Sequence, residues 1–146
     1  MEVHLVADTN LFFECRELES LPWHELGRDP IIILLTKPVL DEIDGHKRSS
    51  GRTRTRAIAI FSRVRKMLAS SLQDDVIRES SPKVILRRKA NVVANPALKE
   101  VLDYSKTDEK LIGITVPIRL SQTPTTCGVD PCSRIKLGIG WRLGAA

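Results

Sequence analysis

Aromatic residues are scarce: six in 146, with Trp23 and Trp141 the only tryptophans. A surface that reads single-stranded nucleic acid by stacking many bases on aromatic rings is therefore not expected. Cysteine is also sparse. Cys15, Cys127 and Cys132 form no C-x-x-C pair, and Cys127 and Cys132 have no nearby histidine, which argues against both a disulfide framework and a zinc site. No apolar run approaches the roughly 18 residues needed to cross a membrane, and the N-terminus has no basic segment leading into an apolar one. A reduced, cytoplasmic protein without membrane contact is the expectation. At this length one ordinary domain is expected, because domains usually run about 100 to 200 residues. With 42% hydrophobic and 28% charged residues, it has the composition of a globular chain with a real core.

What is present is a marked segregation of charge within a net +5. Residues 1–44 hold ten acids against three bases, whereas residues 45–99 hold fourteen bases against three acids. An acidic pocket beside a basic surface would hold cations and attract a polyanion, although both could equally be solvated faces.

His4 to Ala7 forms a short apolar run that stops at Asp8-Thr9-Asn10, which predicts a strand ending in a carboxylate. Leu11, Phe12, Cys15, Leu18 and Leu21 then recur at helical spacing up to Pro22, predicting a helix. Ile31 to Leu35 is unbroken and apolar, as a strand covered on both faces requires. Thr36 can cap the next helix, with Pro38 in its first turn and Glu42 a little beyond. A basic interruption, residues 45–51, separates it from a longer helix predicted by Ala57, Ile60, Phe61, Val64, Met67 and Leu68. Val84 to Leu86 predicts a third strand, fenced by Pro82 and by Arg87-Arg88-Lys89. Residues 97–103 are weakly helical. A capped helix is predicted to start near Thr107 or Ser105, with Asp108 and Glu109 in its first turn.

Alternating strands and helices predict an α/β fold with a parallel sheet, whose ligands bind beyond the carboxyl ends of the strands. Asp8, Glu42 and Asp108 can all fall at that rim. Three convergent carboxylates repel one another unless a cation compensates, and Mg²⁺ or Mn²⁺ is the natural partner of oxygen ligands. Each acid also has a plain reading: Asp8 as a turn or cap residue, Glu42 as a solvated helix residue, Asp108 as a charge on the helix dipole.

The segments Val6-Ala7-Asp8-Thr9-Asn10-Leu11-Phe12, Pro38-Val39-Leu40-Asp41-Glu42-Ile43-Asp44 and Lys106-Thr107-Asp108-Glu109-Lys110-Leu111-Ile112 resemble, in order and separation, the three successive acidic motifs of PIN-domain (PilT N-terminus-like) ribonucleases. The resemblance covers residues 1–115. It implies a three-layer α/β/α fold around a central parallel sheet, with Asp8, Glu42 and Asp108 as catalytic ligands of Mg²⁺ or Mn²⁺ and Asn10 or Thr9 fixing the first acid. The implied activity is endoribonuclease hydrolysis of RNA by a metal-activated water. After Thr115 the sequence departs from the family: no fourth strand or further acidic motif is recognisable, and Asp130 lies in a turn-like Gly128-Val129-Asp130-Pro131. Residues 116–146 read as an irregular tail, in the manner of a truncated or frame-shifted replacement of the family's last strand. That departure keeps open the alternative of a non-catalytic RNA-binding or protein-interaction module. A homodimer is an open alternative, and so is a toxin paired with an antitoxin, although the basic insertion disfavours the toxin.

Lys47, Arg48, Arg52, Arg54 and Arg56, continued by Arg63, Arg65 and Lys66, suit an RNA backbone, since guanidinium groups pair with phosphates and release counterions. The competing reading is a solvated loop and helix face. His4, His24 and His46 are isolated and read as structural or surface residues.

Overall fold

The computed structural model describes the backbone of residues 2–120 and the side chains of residues 2–115. Four strands, β1 (Val3–Val6), β2 (Ile31–Thr36), β3 (Asp74–Arg78) and β4 (Val84–Lys89), form one open sheet in the order β1-β2-β4-β3. β1 and β4 both run parallel to β2, and β3 is antiparallel to β4. Among the described residues, four helices accompany the sheet: α1 (Asn10–Phe13), α2 (Lys37–His46), α3 (Gly51–Ala69) and α4 (Thr107–Leu120). The architecture is mixed α/β with a mostly parallel sheet. Every residue of β1 and of β2 is buried, and because successive side chains of a strand point to opposite faces, both faces of these strands are covered. No helix among the described residues is long and apolar enough to cross a membrane. Of the segment 116–146 expected to be an irregular tail, the backbone of residues 116–120 continues α4, and the remainder, with Cys127, Asp130 and Cys132, lies outside the described residues.

The helix expected over residues 11–21 is not one helix. It stops at Phe13, and the chain continues through tight 3₁₀ turns at Leu18–Ser20 and Trp23–Leu26. The reason is tertiary. The Arg56 guanidinium donates to the carbonyls of Phe12, Phe13 and Cys15, the acceptors that continuing helical amides would use. Trp23, fully buried, donates its indole N–H to the Leu18 carbonyl at 2.6 Å and fixes the rest of the segment against the core. Leu18 and Leu21 are therefore buried as their spacing suggested, but by a non-helical path.

β3 is absent from the sequence expectation because it begins Asp74-Asp75 and alternates poorly. Its pairing is supplied from outside: Asp74 lies opposite Arg87 and receives two hydrogen bonds from it at 2.7 Å, while Asp75 takes one from Arg63 of α3 at 2.8 Å. The guanidinium of Arg87 holds the Asp74 carboxyl below its usual range. The same pairing explains why β4 runs through Arg87-Arg88-Lys89 instead of stopping before them. Residues 97–103 contain a single 3₁₀ turn, Pro96–Leu98, started by Asn95, whose side chain accepts from the Ala97 amide. On α3 the expected stripe is buried at Ala57, Ile60, Val64 and Met67, whereas Leu68 near its end is 55% exposed.

Thr36 occupies the cap position of α2 with extended backbone, but its hydroxyl makes no capping bond. It is fully buried, and its Oγ1 has no hydrogen-bond partner among the described residues. A buried unpaired hydroxyl costs about 1–3 kcal/mol. Thr36→Val keeps the shape and removes the hydroxyl, so urea unfolding should show a gain of about 1 kcal/mol. A loss instead would mean that the hydroxyl is bonded.

Candidate functional site

The three parallel strands direct their carboxyl ends to one rim, and Asp8 stands there, two residues beyond β1. Its half-buried carboxylate is held on both oxygens: the Leu11 amide donates to Oδ1 at 3.2 Å and the Asn10 side chain donates to Oδ2 at 3.5 Å. Of the two residues expected to fix this acid, Asn10 does so through its side chain, while Thr9 contributes its backbone carbonyl to the Phe12 and Phe13 amides.

Burial pushes the Asp8 carboxyl up from its ordinary value. The hydrogen bonds from Leu11 and Asn10 oppose this, and the negative charge of Asp108 adds to the rise. Asp108 is a hundred residues away in sequence, and the fold returns it by docking α4. Leu111 and Ile114 of α4 are buried, the Asn95 amide donates to the Gly113 carbonyl at 2.9 Å, and the Tyr104 hydroxyl donates to the Asn95 carbonyl at 2.5 Å. The neighbouring acid has a different duty. Glu109 folds back to accept from the Asp103 amide at 2.5 Å and from Lys106 at 3.0 Å, closing the start of the helix and leaving Asp108 exposed.

Glu42 lies half-buried on α2, the helix that packs against α4. Asp41 and Asp44 beside it are paired with Lys37 and Lys47, whereas Glu42 has no hydrogen bond or ion pair among the described residues. The structure thus brings Asp8 and Asp108 into electrostatic reach of each other. Among the described residues, no group of three or more histidine, cysteine, aspartate or glutamate side chains is placed to hold a metal ion.

The basic residues divide. Lys47 pairs with Asp44 and lies 4.0 Å over the Phe61 ring, and Arg56 is turned inward onto α1, so both serve the fold. Arg48, Arg52 and Arg54 are exposed and form no ion pair among the described residues. They cluster where α3 begins, at Gly51, whose φ of +65° is a turn conformation that glycine adopts without strain. Arg56, on the same helix as Arg52 and Arg54, joins α3 to α1, whose Leu11 amide donates to Asp8. His46 packs edge-on against Phe13 at 4.7 Å and His4 is buried near Glu2, both structural placements. Sequence reasoning missed Arg56 as an anchor and Asn95, Tyr104 and Gly113 as the seat of α4. None of them lies in a local pattern that would mark it.

Comparison with family models, with curated proteins and with solved structures found no match to this chain.

Proposed function

We propose that the chain is a metal-dependent endoribonuclease similar to PIN-domain enzymes, hydrolysing RNA phosphodiester bonds at the carboxyl rim of its sheet. The observation that supports this most directly is the half-buried Asp8 at the rim, whose carboxyl is pushed up mainly by burial and, to a smaller degree, by the charge of Asp108 from the far end of the described chain. Bringing two carboxylates together is costly unless a cation relieves the repulsion. The donors are all oxygens and suit a hard ion such as Mg²⁺ or Mn²⁺, which often takes only one or two protein carboxylates and keeps several waters. Asp8 and Asp108 would hold it, with Glu42 as the expected third ligand. When bound, such an ion supplies a water of lowered pKa and neutralises charge developing on the phosphate oxygens.

The chain's own residues orient and attract. The Leu11 amide and the Asn10 side chain fix the rotamer of Asp8, and α4 carries the exposed Asp108 in its first turn. Arg48, Arg52 and Arg54 draw the RNA backbone toward that rim, an attraction that weakens with salt. The carboxylates would hold the ion and would not themselves attack phosphorus.

A non-catalytic RNA-binding or protein-interaction module of the same fold is the second reading. It is favoured by the lack, among the described residues, of a three-ligand acidic group. Titration of Mn²⁺ against a mixed-sequence RNA separates the two, because the enzyme yields metal-dependent products and the module retains RNA intact. Saturating Mn²⁺ should also raise stability, by about 2.7 kcal/mol at a hundredfold excess over Kd, and Glu42→Gln should diminish that gain. A melting temperature indifferent to Mn²⁺ would count against the enzyme.

A further inference from the structure

A cavity of about 340 Å³ opens between the end of α1, the loop that follows it and one side of α3. Its lining joins apolar side chains, Leu11 and Phe12 of α1 and Ala59 and Ile60 of α3, to the arginines Arg16 and Arg56. The charges are unevenly compensated. Arg63 is paired with both Glu19 and Asp75, and this ion pairing outweighs the effect of its burial. Arg56 is bonded only to carbonyls, which fix its plane without cancelling its charge. Arg16 is exposed and unpaired among the described residues, and Arg52 lies one helical turn before Arg56. Against these stands one uncompensated acid on the lining, Glu17.

A purely apolar ligand would leave the guanidinium groups unused, and a bare anion would leave the apolar side chains uncovered. The lining suits a ligand that joins a flat apolar ring to a negative charge. Guanidinium planes stack on nucleobases and bind phosphate through paired N–H groups. The volume lies near the lower end of small-ligand sites, roughly 300–1,000 Å³, room for one nucleotide and little more. Position agrees with composition. α1 has Asp8 at its start and this cavity at its end, and four helical residues span only about 6 Å.

We infer that this cavity is a nucleotide subsite, which seats one base and its phosphate from the single-stranded RNA whose scissile bond lies at Asp8. The inference rests on the ribonuclease reading for its choice of ligand, but it is measured without catalysis. Ala59 is exposed on the cavity side of α3, so Ala59→Trp fills the space from a surface position, and Ile58→Trp places the same ring at an exposed position outside the lining as a control. Arg16→Ala removes the unpaired guanidinium and touches no core residue.

The probe is a fluorescein-labelled mixed-sequence RNA dodecamer, titrated in EDTA with fluorescence anisotropy as the readout. Ala59→Trp and Arg16→Ala should each weaken binding about tenfold, the scale of one lost stacking or charged contact, with Ile58→Trp within about twofold of the unaltered protein. If Ala59→Trp fails to fold by circular dichroism, Arg16→Ala carries the test alone. Affinity unchanged in the folded variants, or no binding of RNA in EDTA by the unaltered protein, overturns the subsite. A separate assay with Mn²⁺ keeps the two proposals apart. Cleavage with subsite variants that bind normally sinks the subsite alone, and cavity-dependent binding without any cleavage sinks the nuclease alone.

Discussion

Asp8→Asn is expected to lower Mn²⁺-dependent RNA cleavage by about a thousandfold, and to make the metal-free protein more stable at neutral pH. The first effect follows from losing one of the proposed anionic ligands, since metal stabilisation of a transition state is worth several kcal/mol and each 1.36 kcal/mol is about tenfold in rate. The second follows from the direction of the Asp8 shift. Its folded pKa lies above the ordinary 3.8, so in the interval between the two values the folded protein binds a proton that the unfolded chain has lost. Stability from this group is complete below 3.8, falls as pH rises through the raised folded value, and stays lost at neutrality. Asparagine keeps an oxygen for the Leu11 amide and carries no charge toward Asp108. The melting temperature of the variant should therefore exceed that of the unaltered protein at pH 7, and the difference should shrink toward pH 3. Saturating Mn²⁺ should reverse the order, because only the unaltered protein gains from the ion. Full cleavage by Asp8→Asn would remove the central ligand from the proposal, and a lower melting temperature at pH 7 without metal would show that Asp8 acts as a structural cap instead.

Gly113→Ala should destabilise the protein, against the usual trend. In a helix interior, alanine is ordinarily better than glycine by roughly 0.5–1 kcal/mol. A Cβ on Gly113, however, would stand 2.5 Å from the Tyr104 hydroxyl oxygen and 2.7 Å from the nearest ring carbon. Tyr104 has little freedom to yield. Its hydroxyl is bonded to the Asn95 carbonyl, and the Asn95 amide is bonded to the Gly113 carbonyl, so displacing the ring strains both contacts. Overpacking of this kind costs about 1–3 kcal/mol, enough to outweigh the helix propensity and to lower the melting temperature by several degrees. The same substitution in a Tyr104→Leu background should cost little or even stabilise, giving a coupling energy in a double-mutant cycle. Equal costs in both backgrounds would refute the clash. Since α4 carries Asp108, Gly113→Ala should also reduce cleavage by displacing that acid from Asp8, which a metal titration would register as a raised metal requirement.

Local patterns in the sequence determined a good deal. The apolar block before Asp8 and the continuous Ile31 to Leu35 announced β1 and β2, because a strand covered on both faces has no polar alternation to hide. The three- and four-residue repeat of Ala57, Ile60, Val64 and Met67 announced α3, and the acids after Thr107 announced the start of α4. Each of these signals lies within a few residues of chain.

Tertiary structure decided whatever depended on partners remote in sequence. α1 ends early because Arg56, more than forty residues on, takes its carbonyls. β3 exists because Arg87 and Arg63 neutralise two aspartates that alone would forbid a strand. Lys47 and Arg56 were withdrawn from the basic surface by Asp44 and by α1, leaving Arg48, Arg52 and Arg54 exposed. The charge of Asp108 felt at Asp8, a hundred residues away, is of the same kind. Residue type and spacing state which side chains could carry a charge or a ligand, but the distance between two of them is set by how helices pack on the sheet, and that packing energy is spread over buried residues far from either acid.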